Sequence, residues 1–379
     1  MASGRGVREA LCIVAASERD ADLYYATRFL APDPFVFLEV GGRRLMLTTD
    51  LELRRARTTA TVDRVLPLAR YEAKARRRGG SGGLLWGLVE CLREWRVRRL
   101  TVPEGMPVGL ADGLRARGFR LEIRERPFFP ERLQKSRAEV RAITEVLRLT
   151  EEVLALAIDR LRQSTIRRGR LFEGRQVLTA EILRRYIHQE LLARDCYAEQ
   201  TVVASGRQGA DPHGWGHGPL RAHTPIVLDI FPRSGRTRYF GDITRTVVRG
   251  TASTRARAMY RAVHLAQEEA FRRIRDGVLG AAVHREVCRV LEAQGFKTKR
   301  GRGGPEGFFH GTGHGLGLEI HEPPRVGPAE FTLRAGQVVT VEPGLYYPRD
   351  GGVRLEDVVV VGKRGIRNLT RFPKYFELT

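Results

Sequence analysis

Residues 308–324 read FFHGTGHGLGLEIHEPP and place three histidines, His310, His314 and His321, among glycines. Histidine is the commonest protein ligand for transition metals and the usual acid–base group near neutral pH. Glycine lets a backbone approach a site closely. The segment is therefore either a metal-binding or catalytic loop or a glycine-rich surface loop, and its surroundings in the sequence distinguish the two.

Four acidic residues stand in short apolar runs on both sides of this segment. Asp229 and Asp242 precede it, and Glu342 and Glu356 follow it. A carboxylate in a buried strand is costly unless it is paired with a cation or bound to a metal. The sequence therefore predicts that the four carboxylates converge with one of the histidines.

Two aspartates, two glutamates and one histidine would form an oxygen-rich ligand set with one nitrogen. Manganese, iron, cobalt and zinc accept such mixed ligands, whereas structural zinc sites prefer cysteine and histidine. Four carboxylates around one divalent ion would leave excess negative charge, and two ions sharing bridging carboxylates would balance it. A two-metal site activates a water and polarises a carbonyl, which is the chemistry of hydrolysis.

The elements that must position these residues are β-rich runs separated by helices. Strands are expected over residues 201–205, 225–231, 239–248, 337–346 and 352–362. The second and third of these runs surround a glycine-containing turn and predict an antiparallel hairpin with two carboxylates. Helices are expected at 254–275 and 279–294, ahead of the histidine segment. The pattern predicts two halves, each carrying two of the carboxylates.

The rest of the chain predicts a second, smaller α/β domain. Residues 10–47 read as strand, helix and hairpin, and a helix (84–95), a strand (97–102) and a short helix (110–116) follow. The run Gly79–Gly83 lacks the lysine and strand context of a phosphate loop and indicates a turn. A boundary near residues 127–130 gives domains of 1–130 and 131–379, and the second begins with helices over 136–161 and 179–193.

Composition limits the classes of function. The net charge of +22 would suit an acidic partner, but nearly all of it is arginine, which favours a compositional bias of the genome as its origin. No apolar run approaches the ~20 residues that cross a bilayer, so no membrane partner is expected. The four cysteines are far apart, which favours a reducing cytoplasm over a disulfide scaffold.

Several motifs together resemble the pita-bread metallopeptidases, which include aminopeptidase P, prolidase, methionine aminopeptidase and the non-peptidase creatinase. The motifs are LD at 228–229, GDITRT at 241–246, HGTGHGLGLEIHEP at 310–323, VEPG at 341–344 and VRLED at 353–357. The resemblance covers residues ~135–379, and the N-terminal part is similar to the creatinase-type domain of aminopeptidase P and prolidase. It implies an α/β (α+β) fold with a C-terminal pita-bread catalytic domain.

The resemblance also implies a role for each residue of the site. Asp229 would chelate one ion, His314 and Glu342 would hold the other, and Asp242 and Glu356 would bridge both. Glu342 would in addition carry the proton of the attacking water. The expected ions are two Mn²⁺, with Co²⁺, Zn²⁺ or Fe²⁺ as alternatives.

Substrate contacts follow from the same resemblance. His310 and His321 would flank the substrate, which is a peptide with proline in second position, and Arg354 would orient a bridging carboxylate or meet the substrate. His213, in Asp-Pro-His, resembles the upstream histidine of the proline-specific members, with His217 as the alternative. A homodimer is also expected.

Two features depart from the family pattern or leave it open. Asp229 and Asp242 lie 13 positions apart, a longer spacing than is usual in the family, and the Arg233–Arg238 turn would absorb the extra residues. The predicted activity is that of an Xaa-Pro aminopeptidase or an Xaa-Pro dipeptidase, which sequence alone does not separate. The alternatives are a metal-dependent enzyme of the same fold acting on a non-peptide, and a non-catalytic pita-bread protein that binds nucleic acid or protein.

Overall fold

The structure is a computed structural model that describes residues 8–301 and 304–378. Contacts between Cα atoms divide the chain into two compact units, Met1–Arg132 and Leu133–Thr379. The four carboxylates and the histidines predicted to form the site all belong to the second unit.

The N-terminal unit is built on a mixed sheet in the order β4-β3-β2-β1-β5-β6. Its strands are β1 (Arg8–Ala15), β2 (Phe35–Val40), β3 (Arg43–Thr48), β4 (Arg64–Pro67), β5 (Val97–Pro103) and β6 (Arg120–Arg124). β1, β2 and β3 pair antiparallel, whereas β4, β5 and β6 each join the sheet in parallel. A parallel neighbour requires a crossover, and helices supply the crossovers here.

Helices cover both faces of this sheet. They are α1 (Ala21–Thr27), α2 (Asp50–Thr59), α3 (Leu68–Arg77), α4 (Leu84–Glu94) and α5 (Val108–Arg115). Alternate residues of β2 point to opposite faces: Val36 and Leu38 pack in one apolar cluster with Leu88 of α4, whereas Phe35 and Phe37 pack in another. This period of two places a hydrophobic core on each side of the sheet.

The C-terminal unit contains two larger sheets that carry the candidate site. The first has the order β11-β12-β14-β24, and the second has the order β18-β17-β19-β22-β23. Their strands are β11 (Thr201–Ser205), β12 (Ile226–Ile230), β14 (Ile243–Arg249), β17 (Gly313–Gly315), β18 (Glu322–Val326), β19 (Val338–Val341), β22 (Asp357–Val361), β23 (Ile366–Asn368) and β24 (Glu377–Leu378).

Smaller pairings complete this unit. They are β7 (Thr165–Arg167) with β8 (Arg170–Glu173) and β9 (Gln176–Val177), β10 (Cys196–Tyr197) with β13 (Arg233–Ser234), β15 (Lys299–Gly301) with β16 (Gly304–Glu306), and β20 (Gly344–Tyr347) with β21 (Gly351–Arg354). The hairpin β20–β21 lies directly between Glu342 and Glu356 in sequence. Because it reverses the chain, it brings the two glutamates back to the same end of the hairpin.

Four helices flank the sheets in the described part of this unit. They are α6 (Arg137–Gln163), α7 (Ala180–Leu192), α8 (Thr254–Arg273) and α9 (Gly280–Ala293). Ser136 and Glu139 form a capping box at the start of α6, which satisfies backbone donors that the first turn leaves free. Val263 of α8 and Val287 of α9 share an apolar cluster with Val339 of β19, so this helix pair supports the strand that leads to Glu342.

Most of the main elements lie where the sequence pattern predicts them, with bounds shifted by a few residues. The predicted strands 337–346 and 352–362 were wrong as single strands, because each is broken at its glutamate into two strands of different sheets: β19 and β20 in the first case, β21 and β22 in the second. The pattern missed α2 and α3, which are arginine-rich; in α2 only Ala56 is buried. It also missed β7, β8 and β9, which are too short to show an alternation. Within the described residues, no helix is long and apolar enough to span a membrane.

Candidate metal and substrate site

The two aspartates come from the antiparallel strands β12 and β14. Asp229 lies in β12 opposite Thr244, and Asp242 directly precedes β14. Both strands are buried along nearly their whole length, so the carboxylates project from apolar surroundings. A turn at residues 235–237 lies in the connection between them, where the sequence predicts the extra residues of the hairpin.

His314 lies in the short strand β17, and the two flanking glycines allow its neighbours to approach closely. A Cβ atom at Gly313 would lie 1.9 Å from the carbonyl oxygen of Thr340, and one at Gly315 would lie 2.3 Å from that of Pro323. Both distances are far inside van der Waals contact, so a side chain at either position would force the strands apart. The glycines therefore fix the position of His314 between β18 and β19.

The two glutamates follow strands of the second sheet and of the β20–β21 hairpin. Glu342 comes directly after β19, and the hydroxyl of Thr340 donates to its Oε1 at 3.3 Å while accepting the backbone N–H of His314 at 3.0 Å. The hydroxyl of Thr244 donates to Glu356 Oε2 at 2.7 Å. Each glutamate is thus oriented by a buried threonine, as ligand carboxylates commonly are.

These elements bring the predicted ligands together. Ligand atoms of Asp242, His314 and Glu356 all lie within 4.8 Å of one another. The Nε2 atom of His314 lies 3.3 Å from Glu342 Oε1 and 3.7 Å from Asp242 Oδ2. Asp229 lies at the same cavity, and its Oδ2 accepts a hydrogen bond from Arg354 at 2.6 Å.

The crowding of four carboxylates in this cluster favours the binding of additional positive charge. Burial, together with the neighbouring carboxylates, raises the pKa values of Asp242 and Glu356 well above their usual range. Burial also raises the pKa of Glu342 to about 7, against the opposing effect of Arg354. Asp229 Oδ1 is buried without a hydrogen-bond partner in the described part of the chain. Four crowded carboxylates and an unpartnered acceptor are a donor set that fits divalent cations.

The histidine of this set is arranged as a neutral ligand. The Nδ1 atom of His314 lies 3.1 Å from the carbonyl oxygen of Gly315, and a carbonyl only accepts, so Nδ1 carries the proton. This leaves the lone pair of Nε2 directed toward the carboxylates. Burial and the nearby His321 lower the pKa of His314 to about 3, which keeps the imidazole neutral and able to bind a metal.

Arg354 connects the carboxylates to His310 through a tyrosine. Its guanidinium donates to Asp229 and, at 2.9 Å, to the hydroxyl of Tyr346, which in turn lies 2.8 Å from His310 Nε2. His310 Nδ1 lies 2.7 Å from the carbonyl oxygen of Gly311, so both ring nitrogens have protein partners. In this arrangement the Tyr346 hydroxyl donates to His310, and burial followed by the charge of Arg354 lowers the pKa of His310 to about 3.

A cavity of about 870 Å³ opens onto these groups. His213, His310 and His321 all line it, and the rings of His321 and His314 meet edge to face with centroids 4.4 Å apart. His217 is not among the described residues that line the cavity, and its backbone bonds to Gln208 instead. The cavity therefore collects nine of the residues that the sequence indicates: Asp229, Asp242, His314, Glu342, Glu356, His213, His310, His321 and Arg354.

Sequence reasoning missed several residues that complete the site. Thr244 and Thr340 orient the glutamates, and Tyr346 links Arg354 to His310. Arg325 and Trp215 line the cavity and are exposed. The first three act through contacts that depend on the folded strands, whereas Arg325, four residues after His321, could have been singled out from its place in the histidine segment.

The sequence of this chain is similar to those of known metallopeptidases. The model of metallopeptidase family M24 matches residues 141–363. The chain is 28% identical over 279 residues to the Xaa-Pro dipeptidase of Pyrococcus horikoshii, and the matched region covers 73% of this chain and 74% of that protein. It is 34% identical over 176 residues to the Xaa-Pro dipeptidase of Pyrococcus furiosus, across 46% of this chain and 48% of that protein.

Solved structures agree on the fold. The X-Pro aminopeptidase of Thermotoga maritima MSB8 superposes with a TM-score of 0.82 at 22% identity, covering 98% of this chain and 97% of that chain. The Xaa-Pro dipeptidase of Bacillus anthracis superposes with a TM-score of 0.81 at 21% identity, covering 98% and 95%. At such identities the likeness concerns the fold alone, and it confirms the predicted mixed α/β, pita-bread architecture.

The family model covers more than half of the chain, and the site that it spans has the donor set of a metallopeptidase. The predicted family and the predicted enzyme class are thereby confirmed. The chain belongs to metallopeptidase family M24.

Proposed function

We propose that this protein is a metallo-exopeptidase that hydrolyses the bond between an N-terminal residue and a following proline, using two divalent ions. The observation that carries the proposal is the buried cluster of Asp242, His314 and Glu356, whose ligand atoms lie within 4.8 Å of one another, with Glu342 beside it. The names of the relatives, Xaa-Pro dipeptidase and X-Pro aminopeptidase, support the substrate class.

The residues assigned to the ions are Asp229, Asp242, His314, Glu342 and Glu356. When bound, two such ions lower the pKa of a water and polarise a carbonyl, which supplies the nucleophile and the electrophile of hydrolysis. Asp242 and Glu356 are the candidates for bridging both ions. Asp229 Oδ2 already accepts a hydrogen bond from Arg354, which leaves the unpartnered Oδ1 to bind an ion. This supports a place for Asp229 on one ion only.

Glu342 is the candidate general acid–base. A group that accepts a proton from water and returns it to a leaving nitrogen works best with a pKa near the working pH. Burial gives Glu342 a pKa of about 7, and Thr340 holds the position of its carboxylate. The proline nitrogen of the substrate, like any amide nitrogen, needs a proton in order to leave as an amine, and Glu342 would return it.

His310 and His321 are the candidates for contacts with the substrate. His321 is exposed in the cavity beside His314 and can meet the prolyl ring. For His310 to donate to the developing oxyanion, its ring proton would have to move from Nδ1 to Nε2, which gives up the bond to the Gly311 carbonyl, and Nε2 would have to exchange the Tyr346 hydroxyl for the substrate.

A dipeptide is favoured over longer substrates by the charge at one end of the cavity. Arg325 is exposed and lines the cavity, four residues after His321. A guanidinium recognises a carboxylate through two parallel hydrogen bonds, and in Xaa-Pro the free carboxylate directly follows the prolyl ring. In Xaa-Pro-Yaa the same position carries an amide, which gains no such ion pair.

The experiment that tests the function measures hydrolysis of Ala-Pro, Ala-Pro-Ala and Met-Ala by the purified protein, with Mn²⁺ and after chelation. We expect manganese-dependent turnover of Ala-Pro, slower turnover of Ala-Pro-Ala and none of Met-Ala. Turnover of Met-Ala at a rate similar to that of Ala-Pro would contradict the proline specificity. Inactivity toward all three with both metals bound would leave the non-peptide alternative.

The remaining expectations are part of the same proposal. Manganese is proposed as the physiological ion because the ligand set is rich in carboxylates, with cobalt, zinc or iron as alternatives. A cytoplasmic location is supported by four cysteines that are free. A homodimer is proposed from the family resemblance. Measuring the mass of the protein in solution by light scattering tests this.

A further inference from the structure

Trp215 is an aromatic side chain that stands at the active cavity and remains 51% exposed. Burying a large aromatic side chain stabilises a fold, and an exposed one forgoes much of that gain. About half of the surface of Trp215 is available to a ligand. The chain has three tryptophans, and the other two, Trp86 and Trp95, belong to the N-terminal unit. Nothing in the acid–base or metal chemistry proposed above uses Trp215.

The loop that carries Trp215 is held in place from α7. Arg184 donates to the carbonyl oxygens of Trp215 and Gly216, the latter at 2.7 Å, and to that of Thr201 at 3.0 Å. Glu181 accepts the backbone N–H of Gly218 at 2.9 Å. These bonds tie Trp215 and the residues that follow it to one helix, α7.

The same loop is pressed against β11. The backbone N–H of Val203 donates to the carbonyl oxygen of Trp215 at 3.1 Å. Gly216 has a φ of +73°, and a Cβ atom there would lie 1.9 Å from the Val203 oxygen, so only glycine allows this approach. The backbone at Trp215 is therefore fixed, and its side chain presents a preformed surface to the cavity.

Two further apolar side chains surround the same part of the cavity. Val202 of β11 is directly opposite Asp229 of β12, and residues opposite each other in an antiparallel pair share a face. Phe231 stands two positions after Asp229, where strand alternation returns to that face. Val202, Phe231 and Trp215 all line the cavity. The pairing of β11 with β12 and with the Trp215 loop puts them on the Asp229 side, and we call these three residues the apolar wall.

We propose that this wall, with Trp215 as its main contact, receives the side chain of the substrate's N-terminal residue and selects large apolar residues there. The inference rests on the proposed Xaa-Pro activity. The substrate's free amino group is its cationic end and pairs with carboxylates, and the carboxylate cluster lies beside the wall, since Asp229 is directly opposite Val202. With the amino group at Asp229, the first side chain faces the wall and the proline faces His321.

The first test compares kcat/KM for Gly-Pro, Ala-Pro, Leu-Pro and Phe-Pro in the parent protein and in Trp215→Ala. The parent should favour Leu-Pro and Phe-Pro. The variant should lose about tenfold or more on these two, as expected when a large apolar contact is removed, and change about twofold or less on Gly-Pro, which offers no side chain to the wall. Leu265→Ala, an exposed apolar residue of α8 outside the cavity, is the matched control and should leave the preference unchanged.

A second measurement does not depend on turnover. Titration of the manganese-loaded protein with L-phenylalanine, the amino acid released from Phe-Pro, should change the tryptophan fluorescence, and glycine should not. The change should be absent in Trp215→Phe, which keeps the wall aromatic but removes the reporter.

The outcomes separate this inference from the proposed function. Equal losses on all four substrates in Trp215→Ala, or a fluorescence change that persists in Trp215→Phe, would overturn the wall while leaving the Xaa-Pro activity intact. A change that depends on Trp215, in a protein that hydrolyses none of the four dipeptides, would support the wall and overturn the proposed function.

Discussion

At the scale of single residues, the site is defined by polar atoms whose partners lie far away in the sequence. Arg354 bonds to Asp229 and Tyr346, and Thr244 bonds to Glu356 across 112 positions. A pattern of local residues can indicate that a buried carboxylate needs a partner, but it cannot say which one. The proposed ligands could therefore be singled out from the sequence, whereas the groups that orient them could not.

The bridging carboxylates give the first prediction. Asp242→Asn and Glu356→Gln keep the size of the side chain but remove a charge that both ions share, so each variant should fail to hold two ions and lose activity. Metal analysis of the purified variants measures the stoichiometry, and the shift of Tm with added Mn²⁺ measures the coupling to folding. Asp159→Asn, on the exposed face of α6, is the control. Two ions retained in either site variant would contradict the bridging roles.

The histidines beside the ligand give the second prediction. His310→Ala and His321→Ala remove no proposed ligand, so both metals should remain bound. Turnover of Xaa-Pro dipeptides should fall on the order of a hundredfold in His310→Ala, as is usual when a group that acts on the reacting carbonyl is lost. It should also fall in His321→Ala, which removes a contact with the prolyl ring. Steady-state kinetics and metal analysis on the same preparations check this. Folded variants with parent activity would mean that the two histidines only pack the glycine-rich segment.

At the scale of elements, β14 and β22 are joined by a buried ion pair next to the site. Arg245 and Asp357 are each 1% exposed, and their guanidinium and carboxylate lie 2.9 Å apart. Arg245 also donates to the backbone oxygen of Glu356 at 2.7 Å. The pair thus holds the strand that follows Glu356 against the hairpin that carries the aspartates.

Removing one partner of this pair should be strongly destabilising. Arg245→Leu leaves Asp357 buried with only Lys374 as a cationic partner, so the free energy of unfolding should fall by about 3 to 5 kcal/mol. Urea unfolding of the metal-loaded protein measures it. Arg272→Leu breaks an exposed pair with Glu269 on α8 and should change stability by about 0 to 1 kcal/mol. Equal effects of the two variants would refute the structural role of Arg245.

The last strand gives a prediction about pH. Hydrogen bonds from Arg257 and from the backbone of Ala252 lower the pKa of Glu377 in β24 to about 2. A carboxyl group whose pKa falls on folding stabilises the native state above its unfolded pKa of about 4.3, and this contribution disappears as the pH falls toward 2. Glu377→Gln should therefore lower Tm at pH 7 and converge with the parent in acid. Glu330→Gln, an exposed carboxyl group, is the control, and a constant Tm difference at every pH would contradict the prediction.

Elements with a strong local period were predictable, and those without one were not. β12 and β14 stand out because apolar residues surround each aspartate, and α6 because its apolar residues recur along one face. Only Ala56 of α2 is buried, so this helix lacks the apolar stripe that identifies a helix. In α3 the stripe is present, at Leu68, Tyr71 and Ala75, but four basic residues stand among them. The apolar wall with Trp215 could not be predicted either. Its loop shows no regular spacing of apolar residues, and Arg184 of α7 holds it in place.

At the scale of the whole molecule, the net charge of +22 is the feature that the site does not explain. Many of the arginines pair with acidic residues on the surface, such as Arg272 with Glu269 and Arg289 with Glu286. We expect binding to duplex DNA or RNA to be weak, independent of sequence and steeply reduced between 50 and 200 mM salt, because released counterions drive it.

Fluorescence anisotropy with two unrelated duplexes, titrated at several salt concentrations, measures this binding. Similar affinities for both duplexes and a steep loss with salt are the expected result. A nanomolar complex with one duplex that survives physiological salt would instead identify a specific nucleic-acid partner.

The crowded carboxylates also affect how long the protein lasts. Asp229, Asp242, Glu342 and Glu356 lie crowded together, and Arg354 bonds to Asp229 alone among them, so bound cations would stabilise the folded chain and do little for the unfolded one. Proteases in the cell degrade chains that open transiently, and a less stable fold opens more often. We therefore expect the half-life of this protein to follow the supply of divalent cations, so that starvation for metal removes the enzyme itself as well as its activity.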